Sequence, residues 1–221
     1  MQGEIDMTEP LLTQHRFQQL YEEILYKRDP GKTNRNVKSV WIKYQIAYYL
    51  QPKFIVELGV RAGYSAWALH LGCPTAKFLC YDNYAPGFQG DAGHEAAIPV
   101  HAKRLLGKLG IKLIIADTQK LKKLPIADFY HVDANHQPEP EYNDLMLCLR
   151  SNPAATIVAH DSKAAHVKMA INRARKACGF HTRCSYIDSH WGDSVISQRA
   201  NPWVKKITSF NEALVKEDVC H

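Results

Sequence analysis

The sequence contains no Cys-x-x-Cys pair among its six cysteines (Cys73, Cys80, Cys148, Cys178, Cys184 and Cys220), so neither a zinc ribbon nor the disulfide framework of a small secreted domain is written into it. It has no apolar run approaching the roughly 20 residues that cross a bilayer, and its first residues are acidic, without a basic start or an apolar core. A cytoplasmic protein with no membrane partner is therefore expected. No stretch is rich enough in glycine, serine or proline to mark a linker, and no internal repeat is present. Basic residues exceed acidic ones by only 28 to 22, a net charge of +6 that demands no anionic partner.

What is present is the composition of an ordinary globular chain, 46% hydrophobic and 23% charged over 221 residues. A chain of this length buries roughly 70% of its unfolded surface in one core. From Lys53 onward, short runs rich in branched and aromatic residues (54–58, 78–81, 111–116, 129–132 and 156–159) alternate with helical stretches (64–71, 100–109, 141–150 and 164–178). Runs at 180–187 and 194–198 flank the turn-rich Asp188-Ser-His-Trp-Gly-Asp193, the pattern of an antiparallel hairpin on a sheet edge. Two further helices are expected at 13–27 and 37–50, with a break at Asp29-Pro-Gly-Lys-Thr33. The expected fold is α/β: a Rossmann-like, doubly wound, mostly parallel sheet of seven strands. It carries a C-terminal antiparallel hairpin, and residues 1–50 form a helical cap on the globular unit made by 51–221.

The segment Phe54-Ile-Val-Glu-Leu-Gly-Val-Arg-Ala-Gly-Tyr-Ser65 is an apolar strand that ends in an acid and two glycines before a helix begins. Open α/β sheets bind ligands beyond the C-terminal strand ends, where a glycine turn lets a ligand approach the backbone. A dinucleotide fingerprint would need glycines where Arg61 and Tyr64 stand, which disfavours NAD. No phosphate-binding loop is present either: Gly31-Lys-Thr33 lacks the earlier glycine and a preceding strand. Asp82 closes the second strand, where a carboxylate can accept hydrogen bonds from adjacent ribose hydroxyls, so a nucleoside without a pyrophosphate fits best.

On these residues the sequence resembles the class I S-adenosylmethionine-dependent methyltransferases. Glu57-Leu-Gly59-x-x-x-Gly63-Tyr-Ser65 looks like their first motif and Asp82 like their ribose-binding acid, and the resemblance runs from about Val37 to Gln198. It implies that the backbone near Gly59 and Gly63 lines the amino-acid chain and sulfonium of S-adenosylmethionine, that Glu57 organises polar contacts nearby, and that Asp117 flanks the adenine.

Asp133 stands at the end of the fourth strand with His136 a short step into the loop, and His160-Asp161-Ser162 closes the fifth. If the two strands are neighbours, their ends lie about 4.8 Å apart and both carboxylates reach one point. Two bare carboxylates there repel, so either one takes up a proton or a cation sits between them. This stretch resembles small-molecule O-methyltransferases of the macrocin-type and cephalosporin-hydroxylase-like branch. Their Asp-x-x-His motif matches Asp133 and His136, and their paired acids fall on His160 and Asp161. The resemblance implies a divalent cation, magnesium or manganese, held by Asp133, His160 and Asp161, with His136 as the catalytic base. A histidine here replaces the first of the paired acids, and Ser162 stands where catechol-type relatives carry asparagine. Asp133 is alternatively a contact for the methionine end of the cofactor.

The expected partner is a small-molecule hydroxyl acceptor. Lys27, Arg28, Lys32, Arg35, Lys38 and Lys43 interleave with Trp41, Tyr44, Tyr48 and Tyr49, which reads as a charged exposed face over an aromatic core rather than a nucleic-acid surface. The glycine-containing segment 83–99 is compatible with a substrate loop. The alternatives carried forward are a methyltransferase acting on RNA or on nitrogen, and a non-catalytic nucleoside-binding protein of the same fold. A homo-oligomer is compatible with the sequence.

Overall fold

Parallel strands buried on both faces need apolar side chains on both sides, and the short runs of the sequence supply them in alternation. The computed structural model describes residues 11–25, 34–85, 97–178, 183–189 and 191–210. Its strands are β1 (Phe54–Leu58), β2 (Lys77–Asp82), β3 (Lys112–Ile115), β4 (Phe129–Val132), β5 (Thr156–Ala159), β6 (Arg183–Ile187) and β7 (Asp193–Ser197). Its helices are α1 (Gln14–Ile24), α2 (Asn34–Leu50), α3 (Tyr64–Gly72), α4 (Ala97–Lys108), α5 (Pro138–Ser151) and α6 (Ala165–Ala177).

The seven strands lie in the order β3-β2-β1-β4-β5-β7-β6, with β1 to β5 mutually parallel and β7 antiparallel to both of its neighbours. The chain leaves β1 toward β2 and β3, then crosses back to β4 on the other side of β1. That reversal between β1 and β4 opens a crevice at the C-terminal strand ends.

Strand alternation sorts the core into two layers. Ile55, Phe129, Val158 and Val195 face α1, α2 and α3, where Phe17, Trp41, Tyr44 and Trp67 form an aromatic cluster. Val56, Leu58, Tyr130, Val132, Ile157 and Ile196 face α5 and α6. The period of two also puts Glu57 and His131 on the α3 side, two residues beyond Ile55 and Phe129 toward the strand ends. Gly72 lets α3 close on α2, because a Cβ there would lie 2.2 Å from the Tyr44 carbonyl oxygen.

One expectation changes here. Lys43 was read as part of an exposed charged face, yet it is 1% exposed and points into the protein, because α2 is covered on nearly every side. Lys27, Arg28, Lys32, the side chain of Arg35 and the glycines of the 83–99 segment lie outside the described residues, so the break at 29–33 does too. The hairpin strand expected from residue 180 begins at Arg183 among the described residues. No described helix is long and apolar enough to cross a membrane.

Candidate functional site

Gly59 ends β1 at φ +83°, and a Cβ on it would sit 2.0 Å from the Asp133 carbonyl oxygen. Only glycine fits, because this turn lies directly on the backbone that leaves β4. Asp82 clamps the same turn: its Oδ2 accepts from the Val60 and Arg61 N–H groups at 2.8 and 2.9 Å, and its Oδ1 accepts from the Tyr84 N–H at 2.7 Å. A carboxylate has about four acceptor sites, so one is left on Oδ1 for a ribose hydroxyl, where the sequence reading allowed bonds to adjacent ribose hydroxyls. Gly63, at φ +87°, begins α3.

Glu57 is buried and serves as a polar hub. Ser65 Oγ donates to its Oε1 at 2.5 Å, His131 Nδ1 lies 2.8 Å from the same oxygen, and the Cys80 thiol donates to Oε2 at 3.6 Å. The carboxylate thereby ties β1, β2, β4 and the first turn of α3 together beneath the strand ends.

Above this hub lies a hollow of about 420 Å³, lined among others by Gly59, Asp82, Asp117, Asp133 and His136. That volume falls within the ~300–1,000 Å³ typical of small-molecule sites. The structure therefore brings five of the expected residues into the lining of this hollow, whereas Glu57, Gly63 and Ser65 do not line it. Asp117 caps the short turn at Thr118–Lys120, its Oδ1 accepting from the Gln119 N–H at 3.0 Å. A backbone turn without a Cβ, carboxylates at Asp82 and Asp117 toward one end, and Asp133 at the other form a donor and acceptor set that fits an adenosine carrying a cationic sulfonium.

Asp133 and Asp161 do not face each other bare. The His136 ring stands between them, Nε2 at 3.2 Å from Asp133 Oδ1 and Nδ1 at 3.0 Å from Asp161 Oδ2. Burial alone would lower the pKa of His136, but the two carboxylates outweigh it and raise the value to about 11. The sequence assumed a histidine of ordinary pKa at this place. An imidazole held as a cation has no lone pair with which to take a proton, so His136 does not suit the role of base. Burial would raise the pKa of Asp133, yet the neighbouring His160 and His136 hold it well below the usual carboxylate range.

The expected metal set fits poorly. Each His136 nitrogen faces a different carboxylate, and among the described residues no group of three or more His, Cys, Asp or Glu side chains is placed to hold an ion. Ser162 is buried with its hydroxyl unpartnered rather than turned toward Asp161.

A second hollow of about 140 Å³ adjoins the first and is lined among others by Ser39, Lys43, Ser65, His160 and Trp191, with Val60, Arg61 and Asp133 shared between the two. Sequence reasoning missed its floor. Lys43 Nζ reaches from α2 to Asp193 Oδ1, which His160 Nδ1 also meets at 3.0 Å, while Ser39 Oγ lies 3.5 Å from His160 Nε2. Lys43 and His160 outweigh the cost of burial at Asp193, keeping its pKa well below the usual range. Burial and Lys43 lower the pKa of His160, but Asp133 and Asp193 raise it further, and the net direction is upward. The one available signal was a lone lysine inside the apolar run Val40-Trp-Ile-Lys-Tyr-Gln-Ile46.

Backbone strain gathers at the same place. Among the described residues four non-glycine positions have positive φ: Arg61, Tyr84 and Asp161 (47°, 47° and 52°) border the strand-end crevice, and Gln51 lies away from it.

Behind the crevice, α5 carries two buried acids. Burial, reinforced by neighbouring carboxylates and opposed by His136, raises Glu141 to about 8; burial likewise raises Asp144 to about 7. An acid whose folded pKa exceeds its unfolded value is kept protonated by the fold, so the stability it contributes is present at low pH and lost as pH rises from the unfolded value through the folded one. For these two groups that window runs from about pH 4 to about pH 8. Glu141→Gln should therefore gain stability over the wild type between about pH 5 and about pH 9, on the order of 3 kcal/mol by difference. Denaturant unfolding at the two pH values checks this, and equal curves for the two proteins at both would refute it.

No protein-family model matches the chain, and no curated protein matches it. Solved structures do. A methyltransferase from Geobacter sulfurreducens superposes with a TM-score of 0.56 at 15% identity over 88% of this chain and 94% of that one. The Podospora anserina methyltransferase PaMTH1, solved bound to SAH, gives 0.54 at 15% identity over 87% and 90%. The O-methyltransferase TomG from Streptomyces achromogenes, involved in tomaymycin synthesis and solved in complex with SAM, gives 0.51 at 15% identity over 86% and 90%. These likenesses establish a Rossmann-like methyltransferase fold for the chain.

Proposed function

We propose that this chain is an S-adenosylmethionine-dependent methyltransferase that transfers a methyl group to a hydroxyl oxygen of a small molecule. The observation that carries the reading is the wall common to the two hollows. Val60, Arg61 and Asp133 line both, so a donor in the larger and an acceptor in the smaller meet across it. The solved neighbours bound to SAM and SAH support the donor.

When bound, the cofactor supplies an electrophilic methyl carbon on its sulfonium sulfur. The chain supplies the rest. The glycine turn, held by Asp82, leaves the backbone bare beside the donor, and ionised Asp133 offers negative charge next to a cationic sulfonium. An alcohol oxygen attacks well only as its proton leaves, and that task falls to His160 rather than to His136. In the tautomer that serves this role, His160 Nδ1–H donates to Asp193, with Lys43 Nζ 3.1 Å from the same nitrogen also bound to that carboxylate, and the Nε2 lone pair is left on the side of Ser39 and the smaller hollow. Lys43 holds Asp193 in place as that orienting partner. The acceptor proton passes to Nε2 while its oxygen forms the new bond to carbon and the sulfur leaves with its electron pair.

Calorimetry with S-adenosylhomocysteine tests the donor site and should give one site per chain. His160→Gln should retain that binding and lower methyl transfer from labelled S-adenosylmethionine to a panel of phenols and sugar hydroxyls by about 10²- to 10⁴-fold. Absence of heat with S-adenosylhomocysteine would sink the reading.

A further inference from the structure

The two strand-end acids, Asp133 after β4 and Asp161 after β5, are where electrostatics asks for a cation. We propose that the imidazole of His136, held between Asp133 and Asp161, stands where that ion would sit, so that the chain itself fills the position a divalent metal would take beside the donor hollow.

The local sequence aims the ring there. Asn135 Oδ1 accepts from the Gln137 N–H at 3.1 Å, closing a tight turn, and Pro138 starts α5 immediately after it. His136 thus cannot follow α5 outward and is turned back across the strand ends. Its ring nitrogens then lie 3.2 Å from Asp133 Oδ1 and 3.0 Å from Asp161 Oδ2.

This geometry differs from that of a metal-bound histidine. A ligating imidazole gives one nitrogen lone pair to the ion and turns its other N–H to a single outer carboxylate. Here the two nitrogens lie against different carboxylates, 3.0 Å from Asp161 Oδ2 and 3.2 Å from Asp133 Oδ1, the latter without a well-formed hydrogen bond. A divalent ion also needs several oxygens at about 2.0–2.6 Å around one centre. The third residue that the resemblance offered, His160, gives its Nδ1 to a different acid, Asp193, at 3.0 Å.

The inference rests on the proposed function only in calling the larger hollow a donor site, and its test is independent of that reading. The full chain is titrated with Mn²⁺ alone and the free-ion signal is followed by electron paramagnetic resonance, with and without S-adenosylhomocysteine. The wild type is expected to leave the Mn²⁺ signal unchanged. His136→Ala, which removes the ring and leaves two carboxylates facing each other, should bind one Mn²⁺ at least about tenfold more tightly than the wild type, and adding Asp161→Asn should abolish that gain. A wild-type chain that takes up one Mn²⁺ and loses it on Asp161→Asn alone would overturn the inference, and so would a His136→Ala chain with no more affinity than the wild type. Failure to bind S-adenosylhomocysteine while the Mn²⁺ results hold would count against the methyltransferase reading and leave the placement of His136 in the metal position standing.

Discussion

Gly59→Ala is expected to weaken S-adenosylhomocysteine binding by about 100-fold or more and to lower stability by about 3 kcal/mol. Two costs add. An L-residue at φ +83° pays about 1–2 kcal/mol for the left-handed conformation. The added methyl would also sit 2.0 Å from the Asp133 carbonyl oxygen, so either the β1–α3 turn or the backbone after β4 must move, at the ~1–3 kcal/mol typical of overpacking. The turn cannot move freely, because its Val60 and Arg61 N–H groups are held by Asp82. Whichever side yields, the wall shared by the two hollows is displaced, so affinity falls together with stability. Calorimetry and thermal unfolding measure the two losses. A Gly59→Ala chain within about 0.5 kcal/mol of the wild type and with unchanged affinity would show that the close approach is not a constraint.

The second large effect is expected at Lys43. Removing one partner of a buried ion pair strands the other charge, at about 3–5 kcal/mol. Lys43→Met keeps the stem volume but leaves the buried Asp193 with His160 as its remaining side-chain partner. At roughly 2–4 °C per kcal/mol for a chain of this size, the midpoint of thermal unfolding should fall by about 10 °C. Adding Asp193→Asn removes the stranded charge while keeping an oxygen for the His160 Nδ1–H, so the double variant should regain a large part of the loss. If instead the two losses simply add, Lys43 and Asp193 are not coupled and the floor of the acceptor hollow is not the ion pair described here. A structural cation and a group that orients a base also separate in kinetics. Asp193→Asn should move the acid limb of the methyl-transfer pH profile downward, because it removes a carboxylate that raises the His160 pKa.

Local sequence carried the frame because the frame is a matter of local pattern. The runs at 54–58, 129–132 and 156–159 form strands with those bounds, since branched and aromatic residues between glycine or polar breaks have little other option. The glycine turn, Asp82 and Asp133 reach one hollow because parallel strands bring their C-terminal ends to the same edge of a sheet. Ser65 was legible as part of a motif but not in its role: it serves Glu57, a contact set by the first turn of α3 packing over β1.

What the sequence by itself determined is thus the alternating order of strands and helices, the reversal that opens the crevice, and the acids at its rim, all consequences of periodicity and chain connectivity. Tertiary structure alone decided that Lys43 turns inward, that Asp193 and His160 meet it, and that His136 lies between Asp133 and Asp161. The physical reason is the same in each case. The state of a charged side chain depends on which other charges the packed elements bring within about 4 Å of it, and Lys43 and Asp193 stand 150 positions apart along the chain.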